Sequence, residues 1–397
     1  MCKIQAIKRT FTLFLLIFLS SMVLTGCWDR TEINDLALIL AAGMDKGKNN
    51  NIELSVLVFI PRPQQSGQGN EMSSGGSSGQ SFVRSAEGKT IADAMARLQE
   101  ALTRKIFWGQ SEVILIGDKL AKKGISEQID FWMRHSEPRI RADVLVAKGK
   151  AKTVLKAIPE LEKDASIQLR KIVKSHIGVR VTVKDLLQML SHTSNVAVLP
   201  WVENLPPTQM DKKKAIPIIK GAAVFKDGKM VGRLSDKETR GILWPRNEMK
   251  TGVITISFTG EEGSISLNLL RSHNKLIPSI KNGKWSMRIK TNADLEVFQN
   301  TTEFNLFDPN VIKKAEKKVV YEIEERERLV MTELQKKLNA DILGFADEFE
   351  KKYPQIWKKN RDQWNEIFPE IAVSFDTKVK IQRTGLADEK HKRGAER

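Results

Sequence analysis

Cys27 is the side chain in this sequence best placed to do chemistry, because of what stands before it. Leu24-Thr25-Gly26-Cys27 sets two small residues ahead of a thiol. Small side chains let an extended segment enter a peptidase site. A thiol just past the cut can form a thioether to diacylglycerol. Upstream, Met1–Thr10 is basic, with Lys3, Lys8 and Arg9 and no acid. Phe11 to Phe18 is almost wholly apolar, and Leu19 to Val23 continues the run. Charge, apolar run and small-residue site in that order make a secretory signal. The run is shorter than the roughly 20 residues of a comfortable membrane-spanning helix. Residues 1–26 therefore read as a lipoprotein signal peptide, with a lipobox at Leu24, Thr25, Gly26 and Cys27. Cys27 is expected to carry S-diacylglycerol, with acylation of its amino group as an option. An uncleaved anchor helix with an incidental cysteine is the competing reading, and it leaves the register of the three features unexplained.

The only other cysteine, Cys2, leaves with the signal, so the mature chain cannot form an internal disulfide. Two acyl chains hold a protein firmly, at about 0.8 kcal/mol per buried methylene. No later segment reaches the length of an apolar span, so the remainder is expected to be soluble and to lie on one side of a membrane, outside the cytoplasm. Beyond that covalent lipid, no cofactor is expected.

Elsewhere, residue types that could do chemistry do not converge. The histidines are His135, His176, His192, His273 and His391. None sits in H-E-x-x-H or pairs with cysteine at zinc spacing, and surface or loop positions are the simplest reading. No phosphate-binding G-x-x-x-x-G-K-[ST] occurs, and no G-x-G-x-x-G follows a strand. Gly75-Gly76-Ser77-Ser78-Gly79 matches G-x-S-x-G, but a nucleophile elbow needs a strand before it and a helix after it. Here neither is expected, because the surrounding 64–81 stretch is rich in Gly, Ser and Gln and has almost no apolar content. Carboxylates are too plentiful for spacing to select an acid–base pair. No catalytic or metal site is expected. Trp357 and Trp364, seven apart and set among Lys351, Lys352, Lys358, Lys359 and Arg361, offer a docking or membrane-surface patch. A tryptophan pair packed on a sheet is the simpler account. Trp108 beside Gly109 likewise reads as core.

The elements that must position these residues form a mixed pattern. With 397 residues, 41% apolar and 28% charged, the chain can bury two or three cores without metal or disulfide. Its net charge of +17 attracts anions; export argues against nucleic acid and leaves an anionic lipid bilayer surface. Ile52–Ile60 reads as a buried strand stopped by Pro61 and Pro63, and 64–81 as a flexible Gly/Ser/Gln loop. Helices are expected at 90–102, at 119–134 with a division at Gly124, at 166–176 and at 183–190. Strands are expected at 112–116 and 142–147. Pro206-Pro207 and Lys212-Lys213-Lys214 mark 206–214 as a linker between domains at 27–205 and 215–386. The second domain opens with a hairpin turning at Asp227-Gly228 and is divisible near 265. Strands follow at 252–259, 264–274 and 285–297, the last two joined through Asn282-Gly283. A long helix runs from Asp308-Pro309 to Ile342, a second from Tyr353 to Phe368, and a strand spans 370–382. The 387–397 tail is charged. The fold class is α+β or mixed α/β, multidomain: an N-terminal mixed α/β domain and a C-terminal antiparallel sheet packed with long helices.

Cys27-Trp28-Asp29 with Glu32-Ile33 resembles the mature start of the C subunits of spore germinant receptors, the Ger(x)C lipoproteins. Trp108-Gly109-Gln110-Ser111-Glu112 before an apolar strand adds to the likeness, as does Gly221-Ala222-Ala223-Val224-Phe225-Lys226 before Met230-Val231-Gly232-Arg233-Leu234. So do Asp341-Ile342-Leu343-Gly344-Phe345, Lys352-Tyr353-Pro354, Trp357, Trp364 and Phe368-Pro369 near the end. The ordered series, more than any one motif, carries the resemblance, and it covers essentially the whole mature chain. The stretch near 66–80 is longer than usual.

The resemblance implies a lipid-anchored protein on the outer face of the spore inner membrane. It would act with a multi-pass A subunit and a transporter-like B subunit in a complex that senses small-molecule germinants. It implies several mixed α/β domains and no catalytic site. Two other classes fit the leader equally: a solute-binding lipoprotein that captures a small nutrient, and an envelope hydrolase, which would need convergent carboxylates or a metal cluster.

Overall fold

The structure, a computed structural model, describes residues 11–14, 32–61, 79–135, 137, 139–205 and 215–383. Leu24, Thr25, Gly26 and Cys27, most of the 64–81 stretch, the 206–214 linker and the 387–397 tail lie outside the described residues. Among the described residues, no helix is long and apolar enough to cross a membrane.

The first half builds a sheet around a parallel centre. Its strands are Leu36–Lys46 (β1), Ile52–Pro61 (β2), Gly79–Gly88 (β3), Lys105–Phe107 (β4), Val113–Gly117 (β5), Asp143–Ala147 (β6) and Val196–Leu205 (β7). Between them lie helices Ile91–Glu100 (α1), Asp118–Lys123 (α2), Ser126–Arg134 (α3), Ala151–Leu155 (α4), Ala165–Lys174 (α5) and Val183–Ser191 (α6). Side-chain caps set several starts: Thr90 for α1, Asp164 for α5, and a reciprocal Thr182–Asp185 box for α6. The strand β1, LALILAAGMDK, is an addition to the sequence reading. Its Leu and Ala content favours helix, and burial on both faces overrides that preference.

The hairpin Ile216–Lys226 (β8) and Lys229–Leu234 (β9), beyond the expected linker, extends the first sheet, which has nine strands in the order β3-β2-β1-β5-β6-β7-β8-β9 with β4 beside β1. β7 and β8 pair antiparallel from Val196↔Lys226 to Leu205↔Ile216. Strand alternation feeds two faces. Ile114, Val144, Leu199 and Phe225 point to one core with α1, α2, α3 and α6. Leu115 and Leu145 point the other way, onto α4 and α5. Val196, Val198, Ala222 and Val224 also face away, into a core shared with the second half.

The second half holds helix Asp236–Leu243 (α7) and a sheet of Val253–Ile256 (β10), Ile265–Lys281 (β11), Lys284–Asn300 (β12) and a last strand, Ala372–Arg383 (β13). β11 and β12 turn at Asn282-Gly283, both with positive φ, and run further than their apolar alternation indicates. The sheet packs with helices as expected, but it is not wholly antiparallel: β13 lies parallel to β12. A helical crossover from one edge returns the chain in the same direction, and parallel pairing follows. That crossover begins with helix Pro309–Thr332 (α8), capped by Asp308. The expected helix to Ile342 stops short: Glu333–Leu338 widens into π-helix and Asn339 ends it at φ 43°. Helix Phe345–Lys352 (α9) follows. The segment 353–368 is not one helix but Pro354–Asn360 (α10), a tight turn at Arg361–Gln363, and Trp364–Ile367 (α11).

Candidate functional site

Trp357 and Trp364 are 2% and 4% exposed, which corrects the docking-patch reading and places both in the core. Their rings stand 5.0 Å apart, and Trp285, Phe349 and Phe368 close around them. The nearby cations serve the backbone and the surface. Lys352 Nζ donates to the Pro278 carbonyl at 2.7 Å, and Lys351 pairs with Glu348. Leu24, Thr25, Gly26 and Cys27, the expected lipobox, lie outside the described residues; Ile33–Asp35 makes a 3-10 turn that leads directly into β1.

A polar crevice of about 550 Å³ opens where the two halves meet. Its walls come from α6 and the segment before it, from 246–250, and from the turn between Asn339 and α9. The sequence places His176 and His192 on the surface and joins neither to such a site. His192, just past α6, pairs with Asp347 in the first turn of α9 at 2.9 Å, linking the halves. Asp341, on the same wall, is buried. It accepts hydrogen bonds from the N–H groups of Gly344, Phe345 and Ala346 at 3.1, 3.0 and 2.7 Å. These donors are the otherwise unpaired N–H groups at the start of α9. Burial pushes the Asp341 carboxyl up to about 6, against the pull of those donors. Arg246 grips Glu248 at 2.7 Å and the Ile342 carbonyl. Asp185 is held in the α6 capping box.

These contacts decide what the crevice can do. Its carboxylates cap helices or join ion pairs, and such fixed charges suit holding elements and binding a small polar molecule. Among the described residues no hydroxyl or thiol is hydrogen-bonded to His176 or His192, the arrangement that activates a nucleophile. Nor does any group of three His, Cys, Asp or Glu among them sit where it could hold a metal ion.

A second polar cluster, unforeseen from the sequence, sits at the carboxyl ends of the parallel strands, where α/β folds commonly bind anions. Asp45 closes β1 and accepts the N–H groups of Ala151 and Lys152 at 2.8 and 3.0 Å, so a side chain of this protein occupies the start of α4. Burial raises the Asp45 pKa above its ordinary value. Gly117 leaves the room: a Cβ there would stand 2.0 Å from Asp45 Oδ1. Beside it Lys150 and Lys152 reach Glu53 at 2.9 and 2.7 Å. Burial works to raise the Glu53 carboxyl, and the two lysines outweigh it, so its pKa falls.

Fold and site together define a two-sheet mixed α/β scaffold whose polar crevice lies at the meeting of its halves. Residues 29–204 match the spore germination protein N-terminal domain, and residues 220–385 match the spore germination B3/GerAC-like C-terminal domain. The chain belongs to this family of spore germination proteins. Spore germination protein KC of Bacillus subtilis (strain 168) is 29% identical over 95% of this chain and 97% of its own length. Spore germination protein B3 of the same strain is 25% identical over 95% and 99%. A crystal structure of the GerBC protein shares the fold, with a TM-score of 0.56 at 20% identity over 86% of this chain and 97% of that one.

Proposed function

We propose that this chain is the lipid-anchored subunit of a spore nutrient germinant receptor, working without catalysis beside polytopic A and B subunits on the outer face of the spore inner membrane. The observation that carries the reading is one of register. The family match begins at residue 29, two residues beyond Cys27, so the family's architecture starts where the leader would be cut away. A thioether lipid on Cys27 would supply the membrane attachment that no described helix offers. Tagged chain recovered from spore membranes tests this. The native form is expected to stay with the membrane fraction and bring multi-pass partners. The Cys27→Ala form is expected to lose its lipid and its retention. Full retention of the variant would mean that a protein contact, not lipid, holds the chain there.

The crevice favours one second reading, a lipoprotein that captures a small polar nutrient, since its volume suits such a ligand. Titration calorimetry with amino acids, sugars and nucleosides separates the two, because saturable heat in the micromolar range would favour capture.

A further inference from the structure

The second sheet has one covered face and one open face, and its register says which side chains share the open one. On β12, Met287, Ile289, Thr291, Ala293 and Leu295 are buried, with Thr291 against Glu327 of α8. The residues between them therefore point away from the helices. Side chains of directly paired residues lie on the same face. Lys275 of β11 thus stands beside Lys290 of β12, and Arg271 beside Asp294. On the other side of β12, β13 sets Ser374 beside Arg288, Asp376 beside Lys290, Lys378 beside Asn292 and Lys380 beside Asp294. Strands about 4.8 Å apart, rising about 3.3 Å per residue, gather these side chains on a patch of about 10 by 20 Å.

The patch is left positive. Arg271 and Gln382 hold Asp294, and Asp376 is the other carboxylate in these rows. Against them stand Lys275, Arg288, Lys290, Lys378 and Lys380. None of these five makes a side-chain hydrogen bond or ion pair among the described residues. All but Lys290 are exposed, and Lys290 is half-buried. Charge complementarity calls for an anionic partner, and the shape of the patch narrows the choice. These rows carry no Phe, Tyr or Trp, so they lack the stacking platform that single-stranded nucleic acid uses. Lysine is depleted where proteins bind one another, which disfavours a protein interface. A layer of lipid phosphates is flat, anionic and free to rearrange beneath flexible lysines.

We propose that the open face of β11, β12 and β13 rests on an anionic lipid surface, with Lys275, Arg288, Lys290, Lys378 and Lys380 meeting headgroup phosphates. The proposal builds on the membrane-bound reading above, yet its test does not need the lipid on Cys27. The complete mature chain with Cys27→Ser is sedimented with vesicles of phosphatidylglycerol and phosphatidylcholine, or of phosphatidylcholine alone. Binding to the anionic vesicles is expected, and it should fade as salt rises, because exposed charges are screened. Lys275→Gln, Lys290→Gln, Lys378→Gln and Lys380→Gln together should weaken it at least tenfold. Arginine at the same four positions should preserve it. Lys313→Gln, Lys314→Gln, Lys358→Gln and Lys359→Gln remove the same charge from exposed positions on α8 and α10, and binding should stay within twofold of the unsubstituted chain. An equal loss in that control would reduce the effect to overall charge and overturn the proposal. So would loss of binding in the arginine variant, or equal binding to phosphatidylcholine alone. An absence of vesicle binding would overturn it too, and would assign the face to an acidic protein partner. Failure of the anchor reading would appear separately, as a native Cys27 peptide with the mass of an unmodified residue.

Discussion

Glu327 is the residue whose chemistry departs furthest from its ordinary form. It sits on α8 with no exposed surface, and its nearest polar contact is Thr291 of β12, whose hydroxyl lies 3.4 Å from Oε1. Burial drives its pKa from 4.5 to about 8; Glu324 adds to the rise, while Thr291 and Arg328 oppose it. At neutral pH the folded protein therefore keeps this carboxyl protonated, whereas the unfolded chain would ionise it. A folded pKa above the unfolded one means that stability is fully present below pH 4.5 and drains away as pH climbs toward about 8. At 1.36 kcal/mol per unit, roughly 3 kcal/mol has gone by about pH 7. Glu327→Gln keeps the shape and removes the titration. Urea unfolding between pH 5 and 8 should show the native chain weakening steadily and the variant weakening much less. Asp341 contributes a drop of the same sign, confined to the window between 3.8 and about 6, so it survives in the variant and is distinguishable by its range. Equal slopes for both proteins above pH 6 would contradict a buried neutral Glu327.

At the scale of elements, α7 and α8 approach closely because Gly241 has no side chain. A Cβ there would stand 2.7 Å from the Arg326 carbonyl oxygen of α8, which as backbone cannot swing aside. Gly241→Ala should cost about 1–3 kcal/mol by forcing the helices apart. Gly260, at φ 83° with nothing within 4 Å of where a methyl would stand, should lose only its left-handed preference on Gly260→Ala, about 1 kcal/mol. Thermal melts of the two variants should rank in that order, and a larger loss at Gly260 would refute the close-approach account. The same elements show what could be read from sequence. Asn282-Gly283 announces its hairpin because a turn is a local event fixed by a few dihedral preferences. The stripe along α8 is legible for the same reason, since Ala315, Val319 and Ile323 repeat with the helical period. What stays hidden depends on distant partners. The hairpin β8–β9 is visible as a hairpin, but nothing within it says that β7 is its neighbour. The two tryptophans have helical spacing, yet only the packing of Trp285 and Phe349 decides that they face inward. The crevice is illegible altogether: His192 and Asp347 are 155 positions apart and meet only after both halves have folded.

The whole molecule depends on that crossing of the sequence boundary. β8 is covered on one side by β7 and on the other by β9, so cutting the chain between 205 and 215 strips a paired strand from the first sheet. The bare edge of β7 would then present a row of unpaired backbone groups, a template for aggregation. Its face would suffer as well, because Val196 and Val198 pack in one core with Trp244, Val330 and Leu334 from the second half. Polar contacts reinforce the join: Lys226 of β8 donates to the Asn339 carbonyl at 2.6 Å, and His192 meets Asp347 across the crevice. Halves joined by a continuous strand ladder and a shared apolar core should not melt separately, unlike domains that meet across a small polar interface. Scanning calorimetry of the intact mature chain is expected to give a single transition with calorimetric and van't Hoff enthalpies in agreement. A fragment of residues 27–205 should be aggregated or poorly protected against hydrogen exchange in β7. Two well-resolved transitions in the intact chain, or a stable monomeric fragment with β7 protected, would show that the ladder between β7 and β8 is dispensable and that the chain is two independent bodies.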